Sequence, residues 1–480
     1  MVSNIILTYP GKFGSLNPNL PLALPYLAGV LEKEGHKPKL LDMRVEDYES
    51  VSIESVDLVG ISCLTGPLLQ YALEFAKYVR SKDSDVKIVW GGVHPSCRPE
   101  QTAVNEYVDI VVRGEGELTF TEIANSLEKN GKIDDIRGIT YKDLDNKIRH
   151  NPDREFMNLD ILHYDLPYDL LKLDKYPSFR NNNFDIQTSR GCPFHCTYCF
   201  NQFFNKSIYR SKKAEFVADE IEYVVDKYHI KHISFIDDEF LIKKSRDEAI
   251  CREIINRGID IGWNAICRAD TFIRYPDDVC KVFLKSGLKE FSFGVETTSP
   301  RLMKMINKDT TPDIILKAAE KAKNLNIKTG YLFMCGFPTE TLNDIYMSMD
   351  FIDELKVINP SAKFLFAIYT PYPGTDLYDM VVNNKDLHYH PPQTIEEWGQ
   401  YDFLHFRAPW LDKKYLDFLK HLSTISRFGF WTFPEWYQKF PFNLAHNTFV
   451  FMAKKRWESR FFKFPFELML AERWRDRKAF

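Results

Sequence analysis

The sequence is short of several things at once. Nowhere in its 480 residues is there an apolar run of about 20, the length a helix needs to span a bilayer. It holds no internal repeat and no low-complexity tract, which excludes solenoids and Gly/Ser-type linkers. Neither sign of charge dominates: 63 Lys and Arg stand against 67 Asp and Glu, a net of −4, so no overall field favours nucleic acid. The nine cysteines are odd in number and mostly scattered, which fits a reducing cytoplasm rather than a disulfide framework. A strand-like run follows Met1 directly, without the basic and apolar leader of a secretory signal, so a cytoplasmic location is expected. What remains is an ordinary globular composition, 44% hydrophobic and 27% charged, in a chain long enough for two or three domains.

Three cysteines depart from the scatter. Residues 188–201 read Thr188-Ser189-Arg190-Gly191-Cys192-Pro193-Phe194-His195-Cys196-Thr197-Tyr198-Cys199-Phe200-Asn201. A strand-like run with Phe184 and Ile186 precedes them, and no helical pattern resumes until about Ala214. The thiols therefore lie on a loop after a strand, where they can converge. Thiolates bind soft metals and iron–sulfur clusters. The next cysteine is Cys251, so a four-iron cluster held here would keep one iron without a protein ligand. A structural zinc knuckle with His195 as fourth ligand is the alternative, though its adjacency to Cys196 cramps a tetrahedral site.

The first 150 residues alternate strand and helix patterns, hence a parallel sheet. The strands are read at Val2–Thr8, Lys39–Asp42, Leu58–Ser62, Lys87–Trp90 and Ile110–Val112. The helices are read at Pro21–Glu34, Pro67–Ser81, Arg98–Glu106 and Glu117–Asn130. Glycine-rich turns follow several strands: Ser62-Cys63-Leu64-Thr65-Gly66, Gly91-Gly92-Val93-His94-Pro95 and Arg113-Gly114-Glu115-Gly116-Glu117. Ligands of such sheets sit outside these strand ends. A small hairpin, Ile136–Tyr141 with Lys147–His150, and a proline-marked linker follow. Six further strand–helix units then begin at Asp185–Ser189, His232–Ile236, Asp260–Ile266, Glu290–Gly294, Lys328–Met334 and Lys363–Tyr369. Their ends carry Asp237-Asp238-Glu239-Phe240, Arg268, Gly294-Val295-Glu296-Thr297 and Cys335-Gly336-Phe337-Pro338. Cys63, Cys267 and Cys335 are expected as wall or core residues. Cys97, Cys251 and Cys280 are expected on helices.

The CxxxCxxC loop, with aromatic Tyr198 before its last cysteine, resembles the radical S-adenosylmethionine (radical SAM) superfamily. The N-terminal segments, Pro25-Tyr26-Leu27-Ala28-Gly29, Gly-Gly-x-His-Pro and Arg-Gly-Glu-Gly-Glu, resemble its cobalamin-binding branch. The resemblance implies an α/β fold in four parts. Residues 1–136 form a Rossmann-like, doubly wound cobalamin-binding domain and 137–180 a connector with the hairpin. Residues 181–400 form a partial (βα)6 TIM-type radical SAM core, and 401–480 a mostly helical extension. It implies a four-iron–four-sulfur cluster on Cys192, Cys196 and Cys199. It implies SAM contacts from Tyr198, Asp237, Asp238, Glu239, Arg268, Glu296 and Gly336. It implies cobalamin contacts from Ser62, Thr65, Gly91, Gly92, Gly114 and Glu115. The Asp-x-His-x-x-Gly motif that places a histidine on cobalt is missing, so cobalamin would bind without a protein imidazole; His94 is expected to hydrogen-bond instead.

The activity implied is reductive cleavage of SAM to a 5′-deoxyadenosyl radical and modification of an unactivated carbon, by methyl transfer foremost. The alternatives are cyclisation or ring rearrangement of a lipid, isoprenoid or tetrapyrrole, and a non-catalytic metal or cobalamin carrier. Partners implied are a small or lipid-like substrate and a one-electron reductant such as flavodoxin or ferredoxin, with no nucleic acid. The extension from Tyr401 holds 23 aromatics in 80 residues, and residues 451–480 carry nine Lys and Arg against four Asp and Glu, a net of +5. Trp474 stands among those bases. A helical cap over the barrel is the favoured reading; a peripheral membrane contact is the other.

Overall fold

The structure is a computed structural model that describes residues 4–14, 19–129, 131–162, 166–401, 408–430 and 442–469. Val2, Asn130 and Trp474 lie outside them. Two large sheets organise these residues, beside a two-stranded ribbon that pairs Ser189–Arg190 with Arg210–Ser211. The first has seven strands: β1 (Asn4–Tyr9), β2 (Lys37–Asp42), β3 (Leu58–Ser62), β4 (Lys87–Gly91), β5 (Ile110–Val112), β6 (Ile139–Lys142) and β7 (Ile148–His150). Their order is β2-β1-β3-β4-β5-β6-β7. The first five run parallel, with Ile5 opposite Leu58 and Val89 opposite Ile110. The hairpin expected in the connector instead extends this sheet, β6 pairing antiparallel with β5.

The near-continuous apolar runs of β1, β3 and β4 follow from burial on both faces. Ile5 and Leu7 point into one core and Ile6 into the other. Helices α1 (Ala23–Lys33) and α3 (Glu117–Glu128) cover the first face through Tyr26, Ala28, Phe120 and Ile123. Helix α2 (Leu68–Lys82) covers the second through Leu69, Leu73 and Phe75.

The second sheet has six parallel strands: β8 (Asn183–Ile186), β9 (His232–Phe235), β10 (Gly262–Cys267), β11 (Leu288–Glu296), β12 (Lys328–Cys335) and β13 (Lys363–Ile368). They lie in sequential order, β8 and β13 at the two edges, which is the open partial barrel. Helices α4 (Ala214–Tyr228), α5 (Lys244–Asn256), α6 (Asp277–Lys285), α7 (Pro312–Asn324) and α8 (Leu342–Ile358) alternate with the strands. Local chemistry sets their starts. Thr311 caps α7 by accepting from the Ile314 N–H, with Pro312 in the first turn. Thr341 and Asp344 form a capping box on α8.

The α1/α3 core continues without a break into the barrel core through linker residues such as Leu159, Tyr168 and Tyr176. After the barrel, Tyr378, Ile395 and Trp398 pack back into the α2 core. The extension gives α9 (Lys413–Phe430), which lies against β13, and α10 (Phe442–Glu458), which lies against α9. Trp457, Phe462 and Leu468 are buried in the barrel's core cluster. The described part of the extension therefore covers the open edge of the barrel, while its Trp410 and Tyr415 reach Gly336 and Glu340 at the carboxyl end of β12. No helix among the described residues is long and apolar enough to cross a membrane.

Candidate active site and cofactor cavity

The loop between β8 and α4 presents the three cysteines at the carboxyl end of the barrel. Its geometry is imposed by the next strand. Asp237, just past β9, is fully buried and accepts from the N–H groups of Thr188 (2.6 Å) and Ser189 (3.0 Å) and from the Thr188 hydroxyl. Asp238 accepts from the Gly191 N–H at 2.8 Å. Gly191 has φ +85°, and a Cβ there would stand 2.1 Å from the Ile208 carbonyl oxygen, so the residue before Cys192 must be glycine. Both carboxylate oxygens of Asp237 are used in this brace; it supports the loop instead of facing a ligand.

Polar N–H groups point at the sulfurs. Arg268 Nη1 lies 3.7 Å from Cys196 Sγ, and Asn201 Nδ2 lies 3.8 Å from Cys199 Sγ. Burial pushes the Cys192 thiol up to about 12 and raises that of Cys199 as well. Bare thiolates are thus disfavoured here, and bound iron would supply the compensating charge. Among the described residues no three His, Cys, Asp or Glu side chains gather tightly enough to hold one metal ion. A cubane cluster asks something else: one thiolate on each of three irons. The three half-buried or buried thiols, with N–H donors at two of them, fit that group.

The other strand ends surround the loop. Glu239 is buried and accepts from the Arg268 N–H (3.0 Å) and the Thr271 hydroxyl (3.1 Å); burial raises its carboxyl to about 8. Arg268 bonds Asp270 through Nε (2.9 Å) and the Asp309 carbonyl through Nη2 (3.0 Å), with the Phe194 ring 3.8 Å from its guanidinium. Glu296 ends β11 at a register shift with φ +67°. Its Oε1 accepts from the Tyr198 hydroxyl (2.9 Å) and from Lys308 Nζ (3.2 Å). Both backbone groups of Gly336 are taken, the N–H by Glu340 (2.7 Å) and the carbonyl by Trp410 Nε1 (3.1 Å). Lys308 was not singled out by the sequence. It lies in no motif, and only the return of the chain after Pro300–Met305 sets it beside Glu296.

Facing the cysteine loop is a cavity of about 570 Å³ at the carboxyl ends of β1, β3, β4 and β5. Gly60, Ser62, Gly91, Gly92, Gly114 and Glu115 line one side, and Arg190, Phe200 and Asp238 the other. Gly92 has φ +96°, and a Cβ there would meet the Cys63 carbonyl oxygen at 2.6 Å; a Cβ on Gly91 would meet only Val112 at 3.6 Å. Main chain thus floors the cavity, which fits a bulky ligand resting against backbone. No histidine is among its described lining residues. Thr65, expected as a cobalamin contact, stands outside the lining and bonds His94 Nδ1 at 3.0 Å. His94 is fully buried, and burial lowers its imidazole to about 3.

Arg190 joins the two sites. Two residues before Cys192, it ion-pairs with Glu115 (2.9 Å) and Glu117 (2.6 Å) of the first domain and lies over the Tyr26 ring. Burial opposes its charge, but Glu117 and Glu115 more than offset this and hold its pKa above the ordinary value. Glu115, which lines the cavity, also pairs with Arg210 at 2.9 Å and so ties the two domains as well.

This arrangement matches known families. Residues 186–352 match the radical SAM superfamily and residues 15–124 the B12 binding domain. An uncharacterized methyltransferase of Pyrococcus horikoshii is 34% identical over 376 residues, 76% of this chain and 79% of that protein. The anaerobic magnesium-protoporphyrin IX monomethyl ester cyclase of Rubrivivax gelatinosus is 27% identical over 380 residues, 75% of this chain and 65% of the relative. The cobalamin-dependent SAM radical enzyme OxsB, solved with aqua-cobalamin bound, superposes with a TM-score of 0.73 at 20% identity, covering 95% of this chain and 72% of OxsB. The chain is a radical SAM enzyme. Within that superfamily it belongs to the branch that carries a B12-binding domain, and its cofactors are a four-iron–four-sulfur cluster, SAM and cobalamin.

Proposed function

We propose that the chain is a cobalamin-dependent methyltransferase that acts on an unactivated carbon of a small or lipid-like molecule. One observation carries the reading: the glycine-floored cavity and the cysteine loop share a wall, with Arg190, Phe200 and Asp238 lining the cavity from the cluster side. A methyl donor in the cavity would thus stand next to the site where SAM is cleaved. When bound, the cluster and SAM supply a 5′-deoxyadenosyl radical, and cobalamin supplies a transferable methyl group.

The residues divide the remaining work. Cys192, Cys196 and Cys199 hold the cluster, and Asp237 and Asp238 fix their loop. We assign SAM to the space bounded by Tyr198, Glu239, Arg268, Glu296 and Lys308. The Lys308 ammonium suits a carboxylate and the Glu296 carboxylate suits hydroxyls. The main chain around Gly336 is assigned to adenine. Ser62, Gly91, Gly92 and Gly114 are assigned to cobalamin. A ferredoxin or flavodoxin would deliver the electron. A peripheral contact with a membrane belongs to the same reading. Cyclisation, as in the name of the Rubrivivax relative, is the second reading; the same cavity serves it.

The test is anaerobic turnover of holoenzyme with a reductant, cell extract and SAM carrying a deuterated methyl group, followed by mass spectrometry. A product that has gained the labelled methyl supports the proposal. A product that has lost hydrogen and gained no label favours cyclisation. Neither product, with 5′-deoxyadenosine still formed, overturns methyl transfer.

A further inference from the structure

Among the described residues few phenylalanines are exposed, and most of those belong to one stretch of the extension. Among the described residues five phenylalanines are more than half exposed; four of them, Phe451 (61%), Phe461 (53%), Phe464 (80%) and Phe466 (67%), follow one another along the extension, and Met469 (41%) comes next. Singly scattered apolar residues need no explanation, but a cluster does. This cluster is built. Phe462 (4% exposed) and Leu468 (0%) anchor the segment from below, and the Phe462 ring packs on Phe418 at 5.6 Å. Arg456 staples it from within, donating to the carbonyls of Phe461 (3.4 Å), Lys463 (2.9 Å) and Phe464 (3.1 Å) while paired with Glu467. The alternation is therefore fixed: Phe462, Pro465 and Leu468 face inward, and Phe461, Phe464 and Phe466 face out.

The charge around this loop is positive. Arg456 is neutralised by Glu467, Arg460 by Asp350 and Asp353, and Lys455 by Glu458. Lys463 is exposed between Phe462 and Phe464, and exposed Lys454 shares Glu458 with Lys455. Aromatic and aliphatic side chains presented from a loop held by Arg456, with exposed lysines in the same segment, suit the boundary between head groups and acyl chains. An anionic bilayer offers both an apolar layer for the rings and negative charge for the lysines.

We propose that the loop Phe461–Phe466, with Phe451, Lys454 and Met469, is a docking surface for an anionic lipid bilayer. It lies close to the barrel's mouth. Helix α9 packs on the loop through Phe418, and three residues earlier its Tyr415 hydroxyl donates to Glu340 (2.8 Å), which holds the Gly336 N–H. Docked through this loop, the enzyme reaches substrates dissolved in the membrane. The surface does not rest on methyl transfer, so flotation and turnover fail separately.

The experiment is flotation of the holoenzyme with vesicles of phosphatidylcholine alone and of phosphatidylcholine with phosphatidylglycerol, at low and high salt. Wild type is expected to float with the anionic vesicles and to be released by salt. The double variant Phe464→Ser/Phe466→Ser is expected to lose roughly tenfold in vesicle affinity, and Lys463→Glu to lose the preference for anionic lipid. Cluster absorbance and cobalamin retention stay unchanged in both. No flotation of wild type, or flotation unaltered by the double variant, overturns the proposal. So does a wild-type dimer in sedimentation that the double variant splits without any change in flotation, since the loop would then serve a second copy.

Discussion

The cysteine loop after β8 and the cavity at the ends of β1, β3, β4 and β5 face each other but are held by different means. The loop is positioned by side chains: Asp237 and Asp238 hold its N–H groups, and Arg268 and Asn201 approach its sulfurs. The cavity is shaped by the absence of side chains, with Gly60, Gly91, Gly92 and Gly114 along its floor. A cluster is small and charged, so its site must supply ligands and dipoles at fixed points. A large ligand that rests on backbone needs room first. Substitutions should therefore fail by lost chemistry on one side and by steric exclusion on the other.

The largest effect is expected at the ligands. Cys192→Ala, Cys196→Ala or Cys199→Ala should each abolish 5′-deoxyadenosine formation, while Cys97→Ala and Cys251→Ala leave it; chromatography of anaerobic reactions reads the outcome. Activity in any triad variant would break the comparison at its first term. Gly191→Ala should come next, because its Cβ would collide with the Ile208 carbonyl. Loss of the ~400 nm cluster absorbance with cobalamin retention kept would place the damage on the loop alone.

Arg190→Gln tests the tie between the two sides. It leaves the buried Glu115 and Glu117 without their shared cation, with side chains only 8% and 6% exposed. A loss of ~3–5 kcal/mol is expected in urea unfolding. A loss below ~1 kcal/mol would mean that Arg210 and solvent suffice. The paired variants Gly92→Ala and Gly91→Ala sharpen the cavity side. The first should lower cobalamin retention through desalting, the second should not, because only the first collides with backbone, at the Cys63 carbonyl. Equal retention in both would show that the cavity floor yields.

The smallest effect is a pH slope at Glu340, whose carboxyl burial raises from an ordinary 4.5 to about 7. Between those values the folded chain keeps a proton that the unfolded chain has lost, so stability falls as pH rises through that window. Glu340→Gln keeps an oxygen for the Gly336 N–H and removes the slope. Tm measured at about pH 5 and about pH 8 should then differ less in the variant than in wild type.

The parallel strands were legible because each is a compact apolar run bounded by turn residues; Leu58–Ser62 and Ile110–Val112 stand as read. The cysteine triad was legible because its spacing is local. What pairs across the chain was not. Arg190 meets Glu115 over 75 residues, and no periodicity records that. Asp237 reads like a ligand in sequence, yet its burial beneath the loop spends it on backbone. The hairpin after residue 136 looked like part of a linker because nothing local says that β5 lacks a neighbour on that side. The aromatic excess of the extension was visible, but composition does not say which face each ring takes. Trp457 and Phe462 went inward and Phe464 and Phe466 outward.

Helix α9 does one more thing as it lies along β13. In the middle of that outermost strand, the Phe366 carbonyl accepts from the Ser423 hydroxyl at 2.7 Å and its N–H donates to the Ser426 hydroxyl at 3.3 Å. Those are the groups through which an exposed strand recruits a strand from another molecule. Two serines one turn apart thus stop the sheet from growing sideways. A chain trimmed near residue 400 to isolate the catalytic part would bare that edge, and its failure would be seen as insoluble aggregate before any loss of chemistry could be measured.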